Sequence, residues 1–147
     1  LNKAGDYKDA KVRLKYAIGE NTKAIYKAKI AEEQRKKQEK ILRDKQEYEA
    51  RQKRLLELVD GDMTEYNRLL ELKKNHPDWS DEVCAVIAQK YIIRSMTKEQ
   101  LVESLGNPGH INLTIGEWGR HEQWVYYRGH LYVYIENGSV TSWQMDM

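Results

Sequence analysis

Residues 96–144 read MTKEQLVESLGNPGHINLTIGEWGRHEQWVYYRGHLYVYIENGSVTSWQ, and this stretch decides the fold. It predicts one short helix followed by a small antiparallel sheet. Thr97-Lys98-Glu99-Gln100 has the capping-box spacing, in which the Thr97 hydroxyl takes a backbone N–H and Gln100 reaches back. Leu101, Val102 and Leu105 form the buried side of that helix. Gly106 then stops it, and Pro108 follows.

Strand pairing follows from the turns. Asn137-Gly138 between two extended runs is the strongest short hairpin signal. A two-residue loop there sets Glu136 opposite Ser139, Ile135 opposite Val140, Tyr134 opposite Thr141, and Tyr132 opposite Trp143. Arg128-Gly129 is a weaker two-residue turn that sets Tyr127 opposite His130, Trp124 opposite Val133, Val125 opposite Tyr132, and His121 opposite Glu136. Residues directly opposite share a face. Trp124, Tyr126, Leu131, Val133, Ile135, Val140 and Ser142 therefore form the expected core face, joined by Ile111, Leu113 and Ile115 of the first strand. Val125, Tyr127, Tyr132, Tyr134 and Trp143 collect on the other face. A wet sheet face normally reads polar. These five residues are thus the candidate partner-binding set, covered either by a partner or by the chain's own N-terminal helices.

Upstream, the spacing predicts a helix before Met96 with Val83, Val86, Ile87, Lys90 and Tyr91 in a stripe, capped by Ser80 or Asp78. Cys84 lies in that run as a small core residue. Asn75-His76-Pro77-Asp78 is the clearest breaker in the chain. It divides the expected organisation into a helical, basic, solvated arm (1–76) and an α+β domain (77–147), with Trp79 as an anchor. Within the arm, Tyr7, Ala10, Leu14, Ala17 and Ile18 predict a short amphipathic helix capped by Asp6. Gly19-Glu20-Asn21-Thr22 reads as a break, with Asn21 or Thr22 capping the helix that follows. A long helix follows to about Val59, rich in strong helix formers and in Glu–Lys and Glu–Arg pairs at i, i+4. Asp60-Gly61-Asp62 ends it, and Met63–Lys74 forms another. The expected class is therefore α+β: a long N-terminal helical arm, then two helices packed on a three- to four-stranded antiparallel sheet.

A 147-residue chain that is 33% charged, with 40% hydrophobic residues, cannot use all of its length in one core. Its mean hydropathy of -0.85 agrees. Residues 1–60 hold 17 Lys and Arg against 11 Asp and Glu, a surplus of +6, whereas residues 61–147 hold 8 against 12, or −4. Ile41, Tyr48 and Leu55 fall seven apart, but the matching second apolar positions are charged or polar, which argues against a self-paired coil. No run reaches the roughly 20 apolar residues that span a bilayer. The chain opens at Leu1, so a removed leader or lipid-attachment segment upstream is one expectation.

Residues 79–144 resemble the SmpA/OmlA (BamE-like) domain of bacterial envelope lipoproteins. The resemblance rests on Met96-Thr97-Lys98-Glu99-Gln100, Gly106-Asn107-Pro108 with Ile111-Asn112, His121-Glu122-Gln123-Trp124-Val125-Tyr126, and Glu136-Asn137-Gly138. It implies two helices on one face of a small antiparallel sheet and a non-catalytic role in outer-membrane protein assembly, contacting other subunits or lipid headgroups. The family usually has glycine just before Met-Thr. Here Ser95 stands there, which predicts a different turn into the helix.

The chemistry expected is that of binding. His76, His110, His121 and His130 lack metal-ligand spacing. Ser104, Ser139 and Ser142 occupy ordinary helix, turn and strand positions and lack a nucleophile turn. Gly106-Asn107-Pro108-Gly109 closes a helix instead of opening one, so it is no phosphate loop. No catalytic residue, cofactor, metal or small-molecule substrate is expected. The expected function is a protein–protein interaction or scaffolding module of the bacterial cell envelope, in the periplasm or at the outer membrane, with membrane association through a removed lipid anchor. The alternative is a cytoplasmic adaptor whose basic arm binds nucleic acid or anionic lipid.

Overall fold

The structure, a computed structural model, describes residues 3–146 and the side chains from Tyr7 onward. It is an α+β fold: a long N-terminal helix, three shorter helices and a four-stranded antiparallel sheet. In order these are α1 (Lys3–Glu57), α2 (Met63–Asn75), α3 (Asp81–Ala88), α4 (Lys98–Leu105), β1 (His110–Gly116), β2 (Gly119–Tyr126), β3 (Leu131–Glu136) and β4 (Ser139–Met145). Leu1, on which the expectation of a removed leader rested, lies outside the described residues.

The chain divides into two units, Leu1–Ala50 and Arg51–Met147. In the first unit, the break expected at Gly19–Thr22 is absent, and α1 runs through it. One glycine costs a helix only about 1 kcal/mol. Thr22, expected as a cap, instead turns its Oγ1 back to the Ile18 carbonyl at 2.8 Å, an ordinary mid-helix bond for a hydroxyl. Asp6, the other expected cap, has its side chain outside the described residues, and α1 already begins at Lys3.

The second unit starts earlier than the expected boundary at 76/77. Leu55, Val59, Leu69 and Leu72 are buried in one cluster with Trp79, Cys84, Ile87, Met96 and Leu101. The solvated arm therefore ends near Ala50, and residues 51–75 belong to the compact unit. Asp60 and Gly61 turn the chain with φ of 51° and 79°, and Asp62 caps α2 by accepting from the Thr64 and Glu65 backbone N–H groups. The Gln89 amide donates to the Leu58 carbonyl at 2.9 Å, and Arg54 meets Glu82 at 2.7 Å, so the last turn of α1 is fastened to α3. Trp79 is buried and stacks on His76 at 3.7 Å. The stripe expected on α3 is rotated: Cys84, Ala85, Ile87 and Ala88 are the buried residues, with Val83 and Val86 half-buried. A helix packed by neighbours on several sides buries more than one stripe, and small residues let those neighbours approach.

The sheet order is β1-β2-β3-β4. Its core face is the expected one over β2, β3 and the start of β4, with Trp124, Tyr126, Leu131, Val133, Ile135 and Val140 buried. Ile111, Leu113 and Ile115 lie on that face opposite Trp124, Glu122 and Arg120, but stay exposed at the β1 edge. The capping box at Thr97 and Gln100 is formed. Just before it, Ser95 and Met96 exchange backbone hydrogen bonds with Val140, each 2.8 Å. This fixes the start of α4 against the start of β4.

Ser95 has φ of 69°, the left-handed region that favours glycine. The turn is thus of the kind glycine adopts, with serine held in it by the two strand-like bonds. Ser95→Gly is expected to stabilise the fold by about 1 kcal/mol, since an L-residue costs that much there. An unchanged or lower urea midpoint would contradict this.

Candidate functional site

The five candidate residues do not share one surface. The Asn137-Gly138 turn forms as expected, with Glu136 opposite Ser139 and Ile135 opposite Val140. The register then slips between Ile135 and Tyr134, so Thr141 is an extra residue and Tyr134 faces Ser142. Such a bulge flips every later side chain to the other face. Trp143 therefore lies opposite Val133, and Met145 opposite Leu131, on the helix side. Tyr132 faces Gln144, not Trp143. Ser142, expected on the core face, moves to the outer one.

Tyr127 has also left the outer face. Arg128-Gly129 is not a two-residue turn: Tyr127–Gly129 form a single 3-10 turn, with Tyr127 and Arg128 at φ of 50° and 58°. Val125, Tyr132 and Tyr134 do lie on the outer face, half-buried. Their surroundings are more polar than expected. His110 meets Asn112 at 2.8 Å, the Asn112 amide donates to Gln123 at 2.8 Å, and the Gln123 amide donates to the Tyr134 hydroxyl at 3.3 Å. His121 lies 3.6 Å from Glu136, as the register predicted, and its Nε2 is buried without a hydrogen-bond partner. Polar side chains from three strands thus satisfy much of this face.

The open aromatic surface is instead a groove of ≈ 580 Å³ on the helix side, beside β4. Val86, Lys90, Tyr91, Ile92, Ile93, Leu105, Tyr127, Leu131, Trp143 and Met145 line it. Two local features create it. Helix α3 ends in a Schellman turn, with Lys90 at φ of 60°, the Tyr91 N–H on the Val86 carbonyl and the Lys90 N–H on that of Ile87. The Ser104 hydroxyl, itself buried, then donates to the Tyr91 carbonyl at 2.7 Å and holds the chain that follows. On the other wall, the Thr141 bulge brings Trp143 and Met145 round. Tyr91 is 62% exposed and Trp143 41%. The sequence reading places Tyr91 in the α3 stripe and does not single out Ile92, Ile93 or Met145. The run Tyr91-Ile92-Ile93 was the available signal, but it reads as more helix unless the chain is known to turn at Lys90.

A second built feature is Glu122, buried under the first turn of α4. Its carboxylate accepts from Lys98 at 2.9 Å, Arg120 at 2.6 Å and the Trp124 indole N–H at 2.8 Å. Burial works against the charged form, but the three donors outweigh it and hold the carboxyl at about 2. Every oxygen is engaged within the fold, so this group positions α4 on the sheet. Burial pushes the Tyr126 phenol up to about 12, and its hydroxyl donates to the Gly106 carbonyl at 3.2 Å. Among the described residues, no three of His, Cys, Asp and Glu come together to hold a metal ion. No described helix is long and apolar enough to cross a membrane.

Fold and groove together define the chain as an α+β domain with an open aromatic trench beside its last strand. No family model, no curated protein and no solved structure matches it.

Proposed function

We propose that the chain is a non-catalytic interaction module of the bacterial cell envelope that docks a partner protein in the groove beside β4. One observation carries this: Tyr91, Tyr127, Trp143 and Met145 are exposed together in a single depression. Isolated exposed apolar residues are ordinary, whereas a contiguous patch marks a contact surface. Tyr and Trp in a concave, desolvable setting are the residues that dominate binding energy. The fitting occupant is an amphipathic segment of a partner with apolar anchors and acidic flanks. Lys90 lines the groove, and Arg94 and Arg128 adjoin the lining residues Ile93 and Tyr127 in the chain.

The envelope setting rests on the resemblance to SmpA/OmlA domains. Three features of the fold lend it support: the capping box at Thr97, the Asn137-Gly138 turn, and the left-handed Ser95 where that family usually has glycine.

The test compares variants in cross-linked cell-envelope membranes. Trp143→Ala and Tyr91→Ala should each lose a partner held by the wild-type chain, by about tenfold or more. Tyr134→Ala, on the outer face, should retain it. A wild-type chain that captures nothing, or a partner indifferent to both groove variants, would sink the reading.

A further inference from the structure

The uninterrupted course of α1 through Gly19 joins two stretches that the sequence alone separates. Tyr7, Leu14, Ala17, Ile18, Ala24 and Ile25 then fall within one face of a single helix, since positions three, four and seven apart stack along it. Tyr7, Leu14, Ile18 and Ile25 are all exposed, as are Val12, Tyr16, Tyr26 and Ile30, which lie outside that face. The face ends at Glu32, where Arg35 ties Glu32 and Glu39 into a surface network and the apolar residues stop until Ile41.

The charge on the same segment is one-sided. Between Lys8 and Lys29 there are seven Lys and Arg against two acids, Asp9 and Glu20, a surplus of +5. Lys11 flanks the face beside Tyr7, with its Nζ 5.0 Å from the ring centroid.

We propose that residues 7–31 lie along an anionic lipid surface, apolar face inward and lysines at the headgroups. This goes beyond the groove and does not depend on it, because it concerns the other unit of the chain. Charge decides the occupant. A second copy would bring +5 against +5. An anionic bilayer gains about fivefold in binding constant for each cation near it. Five net cations therefore contribute about three orders of magnitude, and the few large apolar residues add depth. The attraction is mainly electrostatic, so salt should weaken it steeply.

The experiment is co-sedimentation of the full chain with vesicles of phosphatidylcholine and phosphatidylglycerol, at about 7:3, and with phosphatidylcholine alone. Binding is expected to the mixed vesicles only, falling at least about tenfold between about 50 mM and about 300 mM NaCl. The charge-neutral pair Ile18→Ser with Ile25→Ser should weaken it about tenfold. Lys15→Gln with Lys29→Gln, whose cations flank that face, should weaken it about 25-fold. All four side chains are solvent-exposed, and circular dichroism checks that helicity is kept. Equal binding to both vesicle types would overturn the proposal. So would duplex DNA displacing the chain from vesicles with an affinity that the isoleucine pair does not change. A wild-type dimer without vesicles that the isoleucine pair abolishes would assign the face to a second copy and overturn it too.

Discussion

Replacing Glu122 by alanine is expected to lower the unfolding free energy by about 3 kcal/mol at neutral pH. The carboxylate is only 4% exposed and satisfies three donors. Lys98 and Arg120 are partly exposed and recover water when it is removed. The Trp124 indole does not, since Trp124 is itself buried. Its N–H is left without a partner, at a cost of about 1–3 kcal/mol, and the site gains a void. Glu122→Gln keeps an acceptor for the indole and loses only the charge, so about half of the destabilisation is expected. Urea midpoints at neutral pH rank the three chains. Equal midpoints for wild type and Glu122→Ala would remove Glu122 from the account of how α4 is held.

The same group gives the fold a pH dependence with a definite sign. Its carboxyl titrates at about 2 when folded, against an ordinary value of 4.5. A depressed carboxyl stabilises the fold above its unfolded value, and that contribution disappears as pH falls through 4.5 towards 2. With two of its donors partly in water, the contribution is about 2 kcal/mol, less than the full shift implies. The stability gap between wild type and Glu122→Gln should therefore shrink steadily between pH 5 and pH 2.5. A gap independent of pH over that range would mean that the charge contributes nothing.

How far the sequence reaches depends on whether a feature is written locally. The phase of β2 and β3 is, because alternation and the Asn137-Gly138 turn agree over several residues, and Tyr126 to Leu131 pairs as read. The bulge at Thr141 is not. Val140-Thr141-Ser142-Trp143 alternates plausibly in either register, with no glycine to mark the extra residue. That one slip moves Trp143 across the sheet and separates it from Tyr132 and Tyr134. Lys90 conceals the groove in the same way, because a left-handed helix stop without glycine looks like continued helix. Gly19 misleads in the opposite sense, since a residue that permits a break does not require one. In each case, neighbours distant in sequence decide among local options of similar energy.

The boundary of the compact unit is the sharpest case, and it makes the second large prediction. Ile41, Tyr48 and Leu55 are seven apart on one helix and look equivalent in sequence. In the structure Leu55 is 2% exposed and Ile41 is 57% exposed. Leu55→Ala should therefore destabilise the compact unit by about 3 kcal/mol, the removed methyls plus the void they leave. For a unit of this size, that lowers the melting temperature by more than about 10 °C. Ile41→Ala should change it by less than about 0.5 kcal/mol, because that side chain is mostly exposed and alanine favours helix. The contrast separates two accounts of residues 51–75. If they were a solvated extension of the arm, both substitutions would be silent. If the whole of α1 were held in a self-paired coil, both would be costly and the transition would depend on concentration. Only a helix in which Leu55 is buried in the core and Ile41 is exposed makes the first expensive and the second free.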